Sequence, residues 1–284
     1  MSVSKLSFLA SFLIIATATQ AQEHGTLNLA NGTKYNVENK ITSNSSSEVM
    51  GQTMESNADV TTVYHIEVQN QQNKQYHMKN SIASIKMTMT SPAQSVSFDS
   101  DKKDDLDGPI GSAVKPYINQ PQDVVMDETG NLIQNTDSSQ ASDSASQSEN
   151  LLKQLGDPKQ QGYGASMAFM TVPKNASVGT KWQDSTSNEG VTKVTQYEIK
   201  DLSGTVATVS MTGTEDRDTK MEMQGMEIST KTKGQFTGTG TVELSTGVVK
   251  QNTFTENAEG TVSVMGQDIP TKIKVTSTTS VSPL

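Results

Sequence analysis

Apolar residues recur at every second position along much of this chain, and polar residues fill the positions between them. The clearest case runs through residues 234–282, where Phe236 and Val242 share one phase. Period-two alternation sends neighbouring side chains to opposite faces of a strand, whereas a helix needs a period of about 3.6 residues. We therefore predict antiparallel strands here, joined by turns at 245–247 and 257–260.

The earlier part of the chain shows the same alternation. A strand is predicted at 82–89, with Ile85, Met87 and Met89 on one face. Residues 44–48 are polar throughout, so we expect a hairpin tip there. A short helix near 110–118 is weakened by its proline, which removes a backbone hydrogen bond.

These elements predict a mainly β protein with two related antiparallel β units, built as curved open sheets or half-barrels, and one or two short helices in the connection. We expect four segments: a signal peptide at 1–21, an N-terminal β unit at 22–135, a Ser-rich linker with a short helix at 136–160, and a C-terminal β unit at 161–284. The composition of the linker is too polar to bury a core.

An internal repeat is predicted because short motifs recur in the same order in both halves. The clearest pair is Gly32-Thr33-Lys34-Tyr35 and Gly179-Thr180-Lys181-Trp182. We expect Tyr35 and Trp182 to be core anchors at the start of each unit. The alternative is that Gly-Thr pairs are simply common at strand ends.

The first residues have the anatomy of a secretory signal: Lys5, then an apolar stretch through Ala16, then small residues ending at Ala21. We expect an exported protein, periplasmic or extracellular. The chain has no cysteine, which excludes a lipoprotein anchor, disulfides and thiolate sites. No later run approaches the ~18 apolar residues of a transmembrane helix, so we predict no transmembrane segment.

The formal net charge is −9, and Arg217 is the only arginine. An acidic surface repels phosphate, and scarce arginine removes the usual bidentate phosphate contacts. Nucleic acid is therefore not expected as a partner.

Methionine gives the most distinctive pattern, with 14 residues in the chain. Thioether side chains are flexible and apolar, so they fill gaps in a core, line an adaptable apolar pocket, or bind Cu(I). As candidate ligand-binding residues we select the methionines on predicted strands: Met87, Met89, Met211, Met221, Met223 and Met226.

No catalytic motif is present, and we predict neither enzyme activity, nor a cofactor, nor a metal site. His65 and His77 are expected to pair across one hairpin.

The acidic loop at 99–107 is expected to be solvated and not to bind calcium, because lysines interrupt it. His24 would be third in a mature chain starting at Gln22, a position that suits Cu(II). Ser144 and Ser185 follow aspartates in the pattern of a bacterial O-glycosylation signal.

Several short motifs occur in a fixed order: Met50-Gly51-Gln52, the Met87 strand with its acidic loop, 178–182, 223–226 and 265–270. In this order the chain resembles a family of exported bacterial β-rich proteins catalogued only as a domain of unknown function. The resemblance implies no activity, substrate or catalytic residue.

The function that we favour is a non-enzymatic envelope module that binds a lipid or other apolar ligand on a Met-lined sheet face. The alternative is a structural or adhesive cell-surface protein without a small-molecule ligand. An envelope protein partner is compatible with either function. A hydrolase built from paired carboxylates ranks last.

Overall fold

The computed structural model describes residues 25–133, 162–188, 190–223 and 226–284. The predicted signal peptide, His24, Ser144 and the predicted linker helix lie outside the described residues.

The described residues form one antiparallel sheet of eleven strands. Its strand order is β4-β3-β2-β1-β11-β10-β9-β8-β7-β6, and β5 pairs with β3 beside β4. The strands are β1 (Lys34–Val49), β2 (Gln52–Gln72), β3 (Gln75–Thr90), β4 (Ser95–Asp99), β5 (Gln122–Asp127), β6 (Lys181–Asn188), β7 (Val191–Ser203), β8 (Val206–Met223), β9 (Met226–Glu243), β10 (Val248–Val264) and β11 (Gln267–Pro283).

Three short helices accompany the sheet in the described part of the chain: α1 (Lys103–Leu106), α2 (Pro109–Val114) and α3 (Tyr163–Ala168). The predicted helix at 110–118 corresponds to α2, which ends before Pro116 as the missing N–H requires. None of the described helices is long and apolar enough to cross a membrane.

The two halves of the chain belong to one continuous sheet because β1 pairs with β11. The register runs from Tyr35 opposite Pro283 to Ser47 opposite Thr271. The mainly β prediction is confirmed. A relationship by repetition between the halves stays a prediction.

Both halves begin with the same local geometry. The N–H of Gly32 donates to the Val68 carbonyl at 2.7 Å, and the N–H of Gly179 donates to the Ile199 carbonyl at 2.8 Å. Each glycine has a positive φ, 77° and 89° respectively, which glycine adopts without strain. The aromatic residues that follow, Tyr35 and Trp182, are buried as predicted.

In the described part of the chain, the buried side chains of the sheet lie mainly on one face, and we call it the inner face. Tyr35 and Val37 of β1, Ile66 of β2 and Val209 of β8 are buried there. The core is concentrated at the proximal end of the sheet, which is the end with the β2–β3 turn at Asn73 and Lys74.

The inner face curves around α3. This helix has six residues, a length of about 9 Å at 1.5 Å per residue. It nevertheless contacts β3, β2, β1, β11 and β10, which would span about 19 Å in a flat sheet. Gly164 of α3 lies so close to Tyr64 and Asn80 that a Cβ atom would come within 2.6 Å of the tyrosine ring.

The chain before β1 closes the proximal end. The Tyr76 hydroxyl donates to the Leu27 carbonyl at 2.7 Å, and the Leu27 N–H donates to the Glu128 carbonyl at 2.7 Å. On the other side, the Tyr35 ring meets the Phe169 ring edge-on, with centroids 5.5 Å apart. Polar anchors and aromatic packing therefore hold the loops over the core.

Two predicted turns are wrong. Residues 44–48 lie within β1, and residues 257–260 lie within β10. The actual turns are Met50-Gly51 and Met265-Gly266. Gly260 is required inside the sheet, because a Cβ there would come within 2.7 Å of the Thr232 Cα. Close strand packing, not chain reversal, accounts for this glycine.

We expect Gly164→Ala to lower the free energy of unfolding by roughly 1–3 kcal/mol, because an added methyl overpacks the contact between α3 and Tyr64. Urea denaturation followed by tryptophan fluorescence measures this change. Ser166→Ala, at an exposed position of the same helix, should change stability by no more than about 0.5 kcal/mol. Equal effects of the two substitutions would show that the contact with Tyr64 does not matter.

Candidate functional site

The structure does not gather the selected methionines into one cluster. Met87 is buried and Met89 half-buried on β3, whereas Met211 is buried on β8. These strands are six positions apart in the sheet order, about 29 Å along a flat sheet. Whether any of these side chains contacts a ligand stays a prediction.

The other three selected methionines lie where β8 and β9 meet at the distal end, the end with the Met50 and Met265 turns. Met221 pairs with Ile228, and Met223 pairs with Met226. They therefore belong to one hairpin end, away from Met87 and Met89.

Four charged residues lie on the inner face, between β7 and β10. We call Lys193, Glu215, Arg217 and Glu256 the inner charge cluster. Strand pairing brings them together. Lys193 lies opposite Glu215, and Glu215 lies opposite Gly234. Gly234 pairs with Ala258 of β10, two residues after Glu256, whose carboxylate lies over Gly234. No single sequence segment contains them.

Lys193 rests on aromatic rings. Its ammonium nitrogen lies 4.6 Å from the centroid of the Phe236 ring and 5.2 Å from that of Phe254. The two rings meet edge-on with centroids 6.3 Å apart. No carboxylate of the described residues lies within 4.0 Å of this nitrogen. Lys193 is thus a half-buried cation held by cation–π attraction.

Glycines make room for this arrangement. The Phe236 ring lies over Gly213, and the Glu256 carboxylate lies over Gly234. A side chain at either glycine would occupy the same space as the ring or the carboxylate. Because these positions lack side chains, the Phe236 ring and the Glu256 carboxylate pack directly on the backbone of the neighbouring strands.

Burial raises the pKa of the Glu256 carboxyl, and the nearby Glu215 carboxylate raises this pKa further. Lys193 and Arg217 oppose the shift without cancelling it. Glu215 itself is paired with Arg217, with the guanidinium nitrogen 2.5 Å from the carboxylate oxygen. Lys193 is therefore a cation without an ion-pair partner among the described residues, and it lies beside a carboxyl whose pKa is raised.

The inner charge cluster lies next to α3. Burial raises the pKa of the Tyr163 hydroxyl, and the charge of Glu215 raises it further. The Tyr163 ring also meets the Tyr64 ring, with centroids 6.3 Å apart. Tyr163 thus marks the border between the packed core and the rest of the inner face.

Beyond this border the inner face continues toward the distal end. We call this part the distal inner face. Its apolar members lie on β2, β9, β10 and β11: Met54, Ile228, Ala258, Val262, Val264, Ile269, Ile273 and Val275. Strand β1, which lies between β2 and β11, contributes Ser43, Ser45 and Ser47 to this face. None of these residues belongs to the hydrophobic core that packs around α3.

The remaining sequence candidates have ordinary structural roles. The acidic loop forms local ion pairs, with Asp99 and Asp101 both bonded to Lys86, at 3.4 Å and 2.8 Å. The expected pairing of His65 with His77 is wrong: His65 lies opposite Ser81.

Among the described residues, no three His, Asp or Glu side chains are grouped to hold a metal ion. Ser185 lies exposed on the edge strand β6, and its glycosylation stays a prediction.

Sequence reasoning missed the inner charge cluster. A usable signal was present, because Lys193, Glu215 and Glu256 fall in the phase of their strands that otherwise carries buried or small residues. Charges on the dry phase of a strand are unusual and are associated with functional sites.

A family model described as "Family of unknown function (DUF6263)" matches residues 73–249, which is more than half of the chain. The chain belongs to this family. The matched range of this DUF6263 protein contains Lys193, Glu215 and Arg217, while Glu256 and the Met50 and Met265 turns lie outside it. The order of the motifs extends the resemblance beyond this range, and that extension stays a prediction.

No curated protein matches the chain significantly. Among solved structures, the DUF6263 protein is similar to one described as "Lipid-protein interactions in lipovitellin", with 12% identity and a TM-score of 0.46. The similarity covers 90% of this chain but only 25% of the lipovitellin chain. A second similar structure is the translocator domain of autotransporter NalP from Neisseria meningitidis, with 7% identity, coverage of 89% and 90%, and a TM-score of 0.31. Both likenesses are distant, and neither indicates what the DUF6263 protein binds.

We expect Glu256→Gln to stabilise the protein at neutral pH, because it removes a desolvated charge. A carboxyl whose pKa is raised by folding stabilises the folded state in acid. This stabilisation is lost as the pH rises from the usual pKa of glutamate through the raised pKa of Glu256. The stability advantage of Glu256→Gln should therefore be largest above this interval and disappear below it. Urea denaturation at several pH values measures the difference.

The control is Glu259→Gln on the same strand. Glu259 is exposed and faces Lys272 at 3.7 Å on the outer face. A Glu256→Gln advantage that does not depend on pH, or one that Glu259→Gln reproduces, would contradict the predicted desolvation of Glu256.

Proposed function

We propose that this protein is an exported, non-enzymatic binding module that holds a single-chain anionic lipid on the distal inner face. The observation that supports this proposal is the set of apolar residues on the distal inner face, none of which belongs to the packed core around α3. A periplasmic or extracellular location follows from the expected signal peptide and belongs to the same proposal.

The two faces of the distal strands differ in a way that favours a ligand. Along β11, the inner residues Ile273 and Val275 are half-buried, while the outer residues Lys272 and Lys274 are exposed. A sheet extension wetted on both sides gains nothing from an apolar face. Apolar side chains outside the packed core are a feature of interaction sites.

The strip is long enough to hold one acyl chain along its whole length. The inner strip along β10 from Glu256 to Val264 covers eight residue steps, or about 27 Å at 3.4 Å per residue. An acyl chain in one leaflet of a bilayer measures roughly half of the ~30 Å hydrocarbon core.

The charges select the head group. Arg217 is already paired with Glu215, and burial raises the pKa of the Glu256 carboxyl. Lys193 is the cation available to an anionic head group at the inner end of the strip. A charge-assisted bond from its ammonium to a carboxylate would anchor the ligand, because such bonds are stronger than neutral ones.

Isothermal titration with palmitate and with hexadecanol tests this assignment, since the two share a chain and differ in the head group. We expect Lys193→Gln to weaken palmitate binding about tenfold, the equivalent of about 1.4 kcal/mol, and to leave hexadecanol binding unchanged. The control is Lys233→Gln on the exposed outer face of β9, which should change neither affinity.

The apolar part of the site is tested by Ile273→Ser, which should weaken both ligands by roughly tenfold because it removes apolar contact area. Lys274→Ser, the outer-face neighbour on β11, is its matched control. Wild-type protein that binds neither ligand would overturn the proposal. If protein purified from its own envelope also carries no lipid by native mass spectrometry but captures an envelope partner, the structural or adhesive function replaces it.

A further inference from the structure

Two turns at the distal end place methionine in an unfavourable backbone conformation. Met50 has φ 51° and is followed by Gly51 at 77°, and Met265 has φ 54° and is followed by Gly266 at 79°. Two successive positive φ values define a type I′ hairpin turn, whose first position favours Asn, Asp or Gly. A methionine there is strained.

The same chain uses the favourable residue elsewhere. The β2–β3 turn at the proximal end has Asn73 at φ 53° and Lys74 at 64°, so it has the same turn geometry with asparagine at the first position. Methionine is thus not required to form this turn. Its presence at both distal turns needs a reason other than folding.

Packing does not supply that reason. The exposed fraction is 89% for Met50 and 78% for Met265. These side chains contribute little to the core while they carry the strain of the turn. Backbone strain that side-chain packing does not offset is often found at functional sites.

The two turns are neighbours in space. Because β1 pairs with β11, the β1–β2 hairpin and the β10–β11 hairpin lie side by side, with axes about 10 Å apart at two strand spacings. Val49 and Val264 precede the two methionines, so each tip carries two consecutive apolar residues. Both tips extend from the distal inner face, where Met54 is itself 39% exposed.

We propose that the Met50 and Met265 turns dock the protein on the surface of an electrically neutral lipid bilayer. Flexible thioether side chains suit a fluid apolar medium, whereas a protein hot spot typically contains Trp, Tyr or Arg. Neither tip contains one of these residues. Glu48 and Asp268 flank the tips and disfavour an anionic surface.

Docking is separate from the proposed ligand binding, since it is measured on protein without added ligand. Wild-type protein should float with phosphatidylcholine vesicles in a density gradient. It should float less with vesicles of equal parts phosphatidylcholine and phosphatidylglycerol. A double variant, Met50→Asn with Met265→Asn, should lose partitioning by roughly a hundredfold, because two apolar side chains no longer enter the bilayer.

The double variant also controls for folding. Asparagine suits the first position of a type I′ turn, so the melting temperature should rise by about 2–4 °C for roughly 1 kcal/mol of relieved strain. Leu244→Asn is the matched control, since Leu244 is 42% exposed in the β9–β10 turn at the opposite end. It should float like the wild type.

Three results would overturn the proposal. The first is wild-type protein that stays at the bottom of the gradient. The second is a double variant that floats as well as the wild type, and the third is an equal loss in Leu244→Asn. If the wild type does not float but is dimeric in solution and the double variant is monomeric, the tips bind a second copy of the chain and not a bilayer.

Discussion

Pairing of β1 with β11 is the constraint on which the rest of the structure depends. It joins residues separated by more than two hundred positions, as in the 2.9 Å hydrogen bond from the Ser277 hydroxyl to the Asn39 side-chain oxygen. This pairing makes one inner face from two halves of the chain. It gives α3 strands on both sides to pack against, and it brings the β1–β2 and β10–β11 tips together.

Much of the sheet follows from alternation in the sequence, which assigns faces correctly at Ile85, Met87 and Phe236. Turn positions were predicted less well. Its residue type predicts a turn at Gly260, but this glycine permits a close contact of β10 with β9. The turn at Met265 escaped prediction because methionine has no turn chemistry of its own. Local residue type cannot distinguish a glycine needed for packing from one needed for chain reversal.

The candidate site was hidden from sequence reasoning for a different reason. Lys193, Glu215 and Glu256 come from β7, β8 and β10, and only the register of four strands brings them together. Methionine frequency pointed to Met87 and Met211, which the sheet order separates. Composition indicated the chemical character of the inner face, but it contained no information about which residues are neighbours.

Joining the first strand to the last also affects the order of events during synthesis. Translation proceeds from β1 to β11, so the edges of β1 and β10 that flank β11 stay without a partner until the final strand is made. Long open edges recruit strands from other chains, and contacts between distant residues form slowly. The nascent polypeptide is therefore exposed to aggregation for the whole of its synthesis, and a chaperone that shields these two edges would improve its yield.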